Sequence, residues 1–305
     1  MNAPHLSVLY NDIIHALNPR AGGRYIDGTL GAGGHAAGVL QTSAPDGELL
    51  GLDLDPQALA IASERLAGFG KRAHIVHASY LEMAQEAKKL GWDKVDGIVL
   101  DLGVSSMQLD NAGRGFSFLH DGPLDMRFDP SLGSSAADLV NTLGESELAE
   151  IIFRYGEERL SRKIANIIVQ HRPFTTTCQL ADLLLKTIGK RERIHPATRT
   201  FQALRIAVNG ELDAVESVLP MAVELLRPAG RLAVIAFHSL EDRIVKTYFR
   251  RESRDCLCPP RQPVCTCGHR AIINDITRKP IEAGEEEVQA NSRARSAKLR
   301  IVEKT

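Results

Sequence analysis

The sequence predicts an α/β fold: a parallel sheet covered by helices on both faces and interrupted by a helical insertion. Three observations carry that expectation. Short apolar runs alternate with helical segments through the first hundred residues. From about 132 to 196 helical periodicity continues without strands. After 197 the alternation returns. Short apolar strands separated by helices are characteristic of a parallel sheet buried on both faces. The expected organisation is 1–131 and 197–305 as two parts of one sheet domain, with 132–196 inserted between them.

The elements follow in order. Val8 to Leu17 reads as a helix and Arg24-Tyr-Ile-Asp27 as a short strand ending in an acid. A glycine-rich loop leads into a helix beginning at His35. Glu48 to Asp53 is the second strand. Pro56 to Leu66 is a helix, with the proline suited to its first turn. Ala73 to His77 and Val95 to Asp101 are the third and fourth strands. Leu109 to Pro130 is a long loop rich in Gly, Asp, Ser and Pro, a length usually tied to function. Apolar residues at helical spacing run through Glu147 to His171, and Thr176 with Gln179 forms a capping-box pattern before the next helix. Phe201 to Arg227 is helical with a bend expected near Pro220. Arg227 to Gly230 is a turn, Arg231 to Phe237 a strand, and Ser239 with Asp242 caps the following helix. Ala297 to Val302 is a final strand.

Composition excludes little. The chain has 305 residues, 44% hydrophobic and 25% charged, enough for a core without disulfide or metal staples. A net charge of −1 gives no general support for nucleic-acid binding, so any such surface must be local. No run approaches the ~20 apolar residues of a membrane span, and the first residues lack a secretory pattern. A cytoplasmic location with no membrane partner is expected.

The strongest local signal is Asp27-Gly-Thr-Leu-Gly-Ala-Gly-Gly-His35. Its glycines let the backbone approach a ligand closely, and the next helix points free N–H groups at it. Asp53 lies 20 residues past Gly33 at the end of the next strand, where a carboxylate accepts hydrogen bonds from ribose hydroxyls. This is a Rossmann-like arrangement. Gly31-Ala-Gly33-Gly34-His-Ala36 does not cleanly meet the dinucleotide spacing, and Asp27 before the loop would repel a pyrophosphate. The same acid suits the ammonium of a methionine moiety. S-adenosylmethionine is therefore the preferred cofactor, with a nicotinamide dinucleotide as the alternative.

Asp101 ends the fourth strand, on the edge where ligands of open parallel sheets lie. Amino-group methyltransferases carry an Asp/Asn/Ser-Pro-Pro-aromatic motif at this place, and Asp101-Leu-Gly-Val matches it only in part. Methylating an exocyclic amine requires in-line alignment and an acceptor for the amine's N–H as positive charge develops. Asp101 is the candidate catalytic residue, with a loop-capping role as the alternative. The reaction needs no metal.

Seven segments extend the reading over nearly the whole chain: Tyr25–His35, Leu100–Ser106, Arg114–Phe118, Asp121–Arg127, His195–Gln202, Phe237–Arg243 and Asn291–Arg300. With them the chain resembles the bacterial small-subunit ribosomal RNA methyltransferase H family, also called MraW. The resemblance implies an S-adenosylmethionine-dependent methyltransferase sheet with a helical substrate-recognition insertion. It implies methylation of the N4 amine of a cytidine in 16S ribosomal RNA. It also implies cofactor contacts from Gly33, Gly34, His35, Asp53, Tyr80, Asp101 and Gln108.

On the RNA side the candidates are Asp125 and Arg127 in the long loop, Arg199, and His238 after the fifth strand. A basic stripe of Lys186, Lys190, Arg191, Arg193 and Arg199 suits phosphates, or is a solvated face. Phe116 and Phe118 are stacking candidates or core residues. Arg293, Arg295, Lys298 and Arg300 form a second basic group, and Glu285 to Glu287 reads as a solvated loop. Small-subunit RNA, within the assembled subunit, is the expected partner, and the oligomeric state is left open. Alternatives are a DNA amino-methyltransferase, a nicotinamide oxidoreductase and a non-catalytic RNA-binding factor.

Four of the five cysteines cluster as Cys256-x-Cys258-x6-Cys265-x-Cys267. Four thiolates can hold zinc, but Cys-x-Cys is tighter than the usual Cys-x2-Cys, so zinc and free thiols both stay open.

Overall fold

The structure is a computed structural model that describes residues 7–189, 194–260, 262 and 264–305. The chain forms two compact units. The first comprises 1–103 with 212–305, and the second 104–211. The boundaries therefore fall outside the sequence expectation of 132 and 196 on both sides. Phe116, Leu124 and Met126 of the long loop, and Phe201 and Leu204 downstream, are buried in the same core as Ile152, Ile168 and Leu180. Loop residues whose side chains pack there belong to that unit, whatever their backbone.

The first unit holds a seven-stranded sheet in the order β3-β2-β1-β4-β5-β7-β6. The strands are β1 Arg24–Asp27, β2 Glu48–Asp53, β3 Ala73–His77, β4 Val95–Asp101, β5 Leu226–Ala236, β6 Ile273–Asp275 and β7 Lys298–Lys304. β1 to β5 pair in parallel, while β7 runs antiparallel to β5 and β6 antiparallel to β7. The sheet is thus mixed: parallel through the strands of the first hundred residues, as expected, with antiparallel β7 and β6 added at one edge. Leu299, Arg300, Ile301 and Val302 are all buried, so β7 shows none of the alternation that marks a one-sided antiparallel strand.

Successive residues of each central strand face opposite layers. Ile26, Leu50, Ile98 and Leu100 pack with Val218, Leu219 and Phe249. Tyr25, Leu49 and Val99 pack with Ile13, Val39 and Leu66 on the other face. β1 lies between β2 and β4, and the chain winds outward from it in both directions. The switch point therefore falls at the carboxyl ends of β1 and β4, occupied by Asp27 and Asp101.

Three boundaries differ from expectation for identifiable backbone reasons. The helices Thr198–Asn209 and Glu211–Leu225 are separated at Gly210, with φ 58°, while Pro220 lies inside the second. Glu145–Gly156 and Ser161–Gln170 are likewise two helices, ended and restarted around Glu157 with φ 49°. The expected turn at 227–230 is a bulge inside β5: the register shifts between Val95 and Gly97, and Ala229 sits at φ 62°. Among the described residues no helix is long and apolar enough to cross a membrane.

Ile98 is fully buried at the centre of β4. Ile98→Ala is expected to reduce stability by about 2–5 kcal/mol, read as a lower urea midpoint, through lost burial and a residual cavity.

Candidate active site

The loop after β1 is built so that its backbone can turn tightly under a ligand. Gly33 has φ 76° and forms the N-cap of helix Gly34–Thr42, which has no side-chain cap. Its first N–H groups are therefore left without a side-chain acceptor. At Gly28 a Cβ would lie 2.7 Å from Leu100 Cδ2 and 3.0 Å from Tyr80 Cβ, so the chain must be bare there. Tyr80, which opens a short 3-10 turn after β3, thus borders the loop.

Two acids tie the loop to the strands. Asp53 Oδ2 accepts from Gly31 N at 2.7 Å, and Oδ1 from Asp55 N at 2.8 Å. Burial raises the Asp53 pKa against those backbone donors. Asp27 is almost wholly buried. Its Oδ1 accepts from Thr29 N at 3.2 Å, and Thr29 Oγ1 accepts from Asp101 N at 2.6 Å. Thr29 thereby links the ends of β1 and β4, a role that no local pattern in the sequence announces.

His35, also buried, stacks on Tyr10 and brings Nε2 to 3.6 Å from Asp101 Oδ2. Burial disfavours its charged form, but the Asp101, Asp27 and Glu287 carboxylates outweigh that and raise its pKa. Burial pushes Asp27 up to about 6, despite His35 and the Thr29 N–H, with Asp101 and Asp53 adding to the rise. Asp27 Oδ2, Asp101 Oδ1 and both His35 ring nitrogens have no hydrogen-bond partner among the described residues. Buried acceptors left open in this way are rare unless a ligand completes them. Two open carboxylate oxygens beside an uncapped helix terminus fit a zwitterionic amino acid: ammonium toward Asp27, carboxylate toward the helix N–H groups. The residues present therefore suit the methionine part of S-adenosylmethionine.

The remaining candidates are placed as follows. Gln108 is buried and closes a capping box with Ser105, its Oε1 accepting from Ser105 N at 2.9 Å. Asp125 and Arg127 bind each other in a fork, Nη2 to Oδ2 at 2.6 Å and Nε to Oδ1 at 3.0 Å. Burial raises the Asp125 pKa, but the Arg127 guanidinium more than offsets it and holds the carboxyl low. Arg199 lies 3.4 Å from Glu158 and lines a cavity of about 250 Å³ with Arg159, Ile188 and His195. His238, not Ser239 or Asp242, is the N-cap of helix Ser239–Glu252; its Nδ1 accepts weakly from Glu241 N at 3.4 Å. Phe116 is buried in the core against Phe128, whereas Phe118 is half-buried against His195 and Phe201. Arg300 is held by Asp242 in a buried fork. Glu287 lies on the helix Glu285–Ala290, where it accepts from Leu9 N at 2.6 Å, so it is not a solvated loop residue. Lys190, Arg191 and Arg193 lie outside the described residues.

Comparison with known proteins adds to this geometry. The sequence pattern described as the MraW methylase family matches residues 2–305. The Ribosomal RNA small subunit methyltransferase H of Citrifermentans bemidjiense is 56% identical over 306 residues, covering 98% of each chain. The protein of the same name from Geobacter sulfurreducens is 54% identical over 310 residues, covering both chains fully. Among solved structures, an rRNA methylase from Streptococcus thermophilus aligns with a TM-score of 0.44 at 10% identity, covering 97% of this chain and 93% of that one.

Keeping Asp27 ionised at pH 7 costs about 1.4 kcal/mol per pH unit that its pKa is raised. The unfolded carboxyl titrates near 3.8 and the folded one near 6, so stability is fully present below the unfolded value and is lost as pH rises through about 6. Asp27→Asn is expected to raise the melting temperature of the ligand-free protein at pH 7 and to leave it nearly unchanged at pH 4. The same variant is expected to bind the cationic cofactor at least ~10-fold more weakly by calorimetry, a loss of about 1.4 kcal/mol.

Proposed function

The chain belongs to the MraW methylase family, and on that premise we propose its function: methyl transfer from S-adenosylmethionine to the N4 amine of a cytidine in small-subunit (16S) ribosomal RNA. The observation that carries this reading is the pair of open, buried carboxylate oxygens, Asp27 Oδ2 and Asp101 Oδ1, in the patch that also holds His35. One suits a fixed positive charge and the other suits N–H donors. S-adenosylmethionine, when bound, supplies a methyl group on a sulfonium that is already a good leaving group.

The protein's part is binding, alignment and hydrogen-bond acceptance. Asp27 and the start of helix Gly34–Thr42 hold the amino-acid end. Asp53 keeps lone pairs for ribose hydroxyls beside those it gives to Gly31 and Asp55. Tyr80 flanks the adenosine, and Gly33, Gly34, His35, Asp101 and Gln108 complete the cofactor contacts. Asp101 accepts from the cytosine amine. That amine is a weak nucleophile because its lone pair is delocalised into the ring. A fixed carboxylate helps as positive charge develops on the nitrogen, and it costs no reorganisation at that moment. His35, at 3.6 Å, positions Asp101 and balances its charge.

The second unit is assigned to RNA recognition. Asp125 and Arg127 act there as one rigid pair that shapes the long loop. Arg199 at its cavity meets the RNA backbone, and His238 serves the base from the first unit. The protein works in the cytoplasm on small-subunit RNA within the assembled subunit.

The test is methyl transfer from labelled S-adenosylmethionine to small subunits, free small-subunit RNA and duplex DNA, with the modified nucleoside identified by mass spectrometry. N4-methylcytidine from small subunits is expected. Asp101→Asn is expected to lower turnover by about 10²–10³-fold while cofactor affinity changes far less. Label found only in duplex DNA, or on another position of the base, would refute the proposal.

A further inference from the structure

The segment between helix Ser239–Glu252 and β6 has no helix or strand among its described residues, and the chemistry proposed above makes no use of it. Its base is closed by two hydrogen bonds, one to backbone and one to a side chain: Ile272 N donates to Glu252 O at 2.9 Å and Ala271 N to Asp255 Oδ1 at 3.3 Å. Little apolar burial supports it. Cys256, Cys265 and Cys267 are exposed, and so is Val264. Long irregular segments of this kind usually need some other source of order.

The four cysteines converge at its tip. All are free. Sγ atoms lie 3.4 Å apart for Cys256 and Cys265, 3.6 Å for Cys265 and Cys267, and 3.9 Å for Cys256 and Cys267. Cys258 completes a set in which all four sulfurs lie within 4.8 Å of one another. A zinc ion with bonds of about 2.3 Å to four tetrahedral thiolates sets its sulfurs roughly 3.8 Å apart. A cluster of two irons would need wider spacing between its sulfur pairs. The short Cys-x-Cys spacing, which argued against zinc in the linear sequence, is accommodated because the two arms face each other.

Backbone N–H groups already point at the sulfurs. Leu257 N donates to Cys267 Sγ at 3.3 Å, Cys258 N to Cys256 Sγ at 3.4 Å and Thr266 N to Cys258 Sγ at 3.4 Å. Such donors orient and stabilise thiolates. His269 directs Nε2 to Arg251 O at 3.2 Å, which leaves the four sulfurs as the ligand set.

The geometry points to a structural zinc site at Cys256, Cys258, Cys265 and Cys267 that orders the segment between the last long helix and β6. Binding replaces the thiol protons with four zinc–sulfur bonds and releases those protons to solvent; no electron is transferred. All four positions are filled by protein, so the ion has no open place for a substrate.

The full chain, purified under reducing conditions from zinc-supplemented cells, is expected to carry about one zinc per chain by elemental mass spectrometry. Cys178→Ser is expected to keep it, and the double variant Cys256→Ser/Cys267→Ser to lose it. Replacement by cobalt is expected to give the intense visible absorption of a tetrahedral thiolate site. Wild-type protein with less than ~0.1 zinc per chain and four titratable thiols or two disulfides in the segment would overturn the proposal. So would zinc retained in full by the double variant, or stoichiometric iron in its place. The wild-type measurement does not depend on whether the variants fold.

Discussion

The constraint on which the site depends is that Asp27, His35 and Asp101 share a single buried patch at the carboxyl ends of adjacent strands. Removing charges from water costs several kcal/mol per ion unless partners replace the lost solvation. Here the replacement within the protein is incomplete. One oxygen of each acid and both imidazole nitrogens lack a hydrogen-bond partner among the described residues. The parallel register that sets Asp27 beside Val99 brings the two acids close, and the Thr29 hydroxyl fixes the relation between them at 2.6 Å from Asp101 N. A strained electrostatic patch persists only where the surrounding packing holds it. Ile26, Ile98 and Leu100 on one face and Tyr25 and Val99 on the other supply that packing.

The same arrangement explains why much of the site was legible in the sequence. β1, β2 and β4 fall on the apolar runs because a central parallel strand must be apolar on both faces, and β3, at the sheet edge and only half-buried, follows its own short run. The acids at the ends of three of them stand out against that background. Asp27 and Asp53 stand out as candidates because an acid that closes an apolar strand beside a glycine-rich loop has few other uses. Thr29, by contrast, looks like any loop threonine. Its function arises from the approach of β4, 72 positions later, and no local pattern encodes a contact at that distance.

Charged side chains were harder to read for the same physical reason. Arg127 and Arg300 look like nucleic-acid contacts in a linear sequence. Yet Arg127 is forked onto Asp125 and Arg300 onto Asp242. Each pair fixes a loop or a helix end, and a guanidinium so engaged is rigid before anything approaches it. Helix breaks were missed where a residue adopts positive φ without advertising it: Glu157 ends a helix in the left-handed region, and Gly210 does so ten residues before the proline that seemed the better breaker.

The two clusters of unsatisfied or crowded polar groups differ in a way that separates their roles. Around Asp101 the open groups are buried oxygens at two strand ends and the imidazole nitrogens of His35 at the start of helix Gly34–Thr42. The cysteine cluster is the reverse. Its sulfurs are exposed, its backbone irregular and its apolar support slight, so the ordering comes from the bound ion and leaves no coordination position for exchange. Reversible binding of a small cationic cofactor needs the first kind of site, and the connection between the last long helix and β6 needs the second.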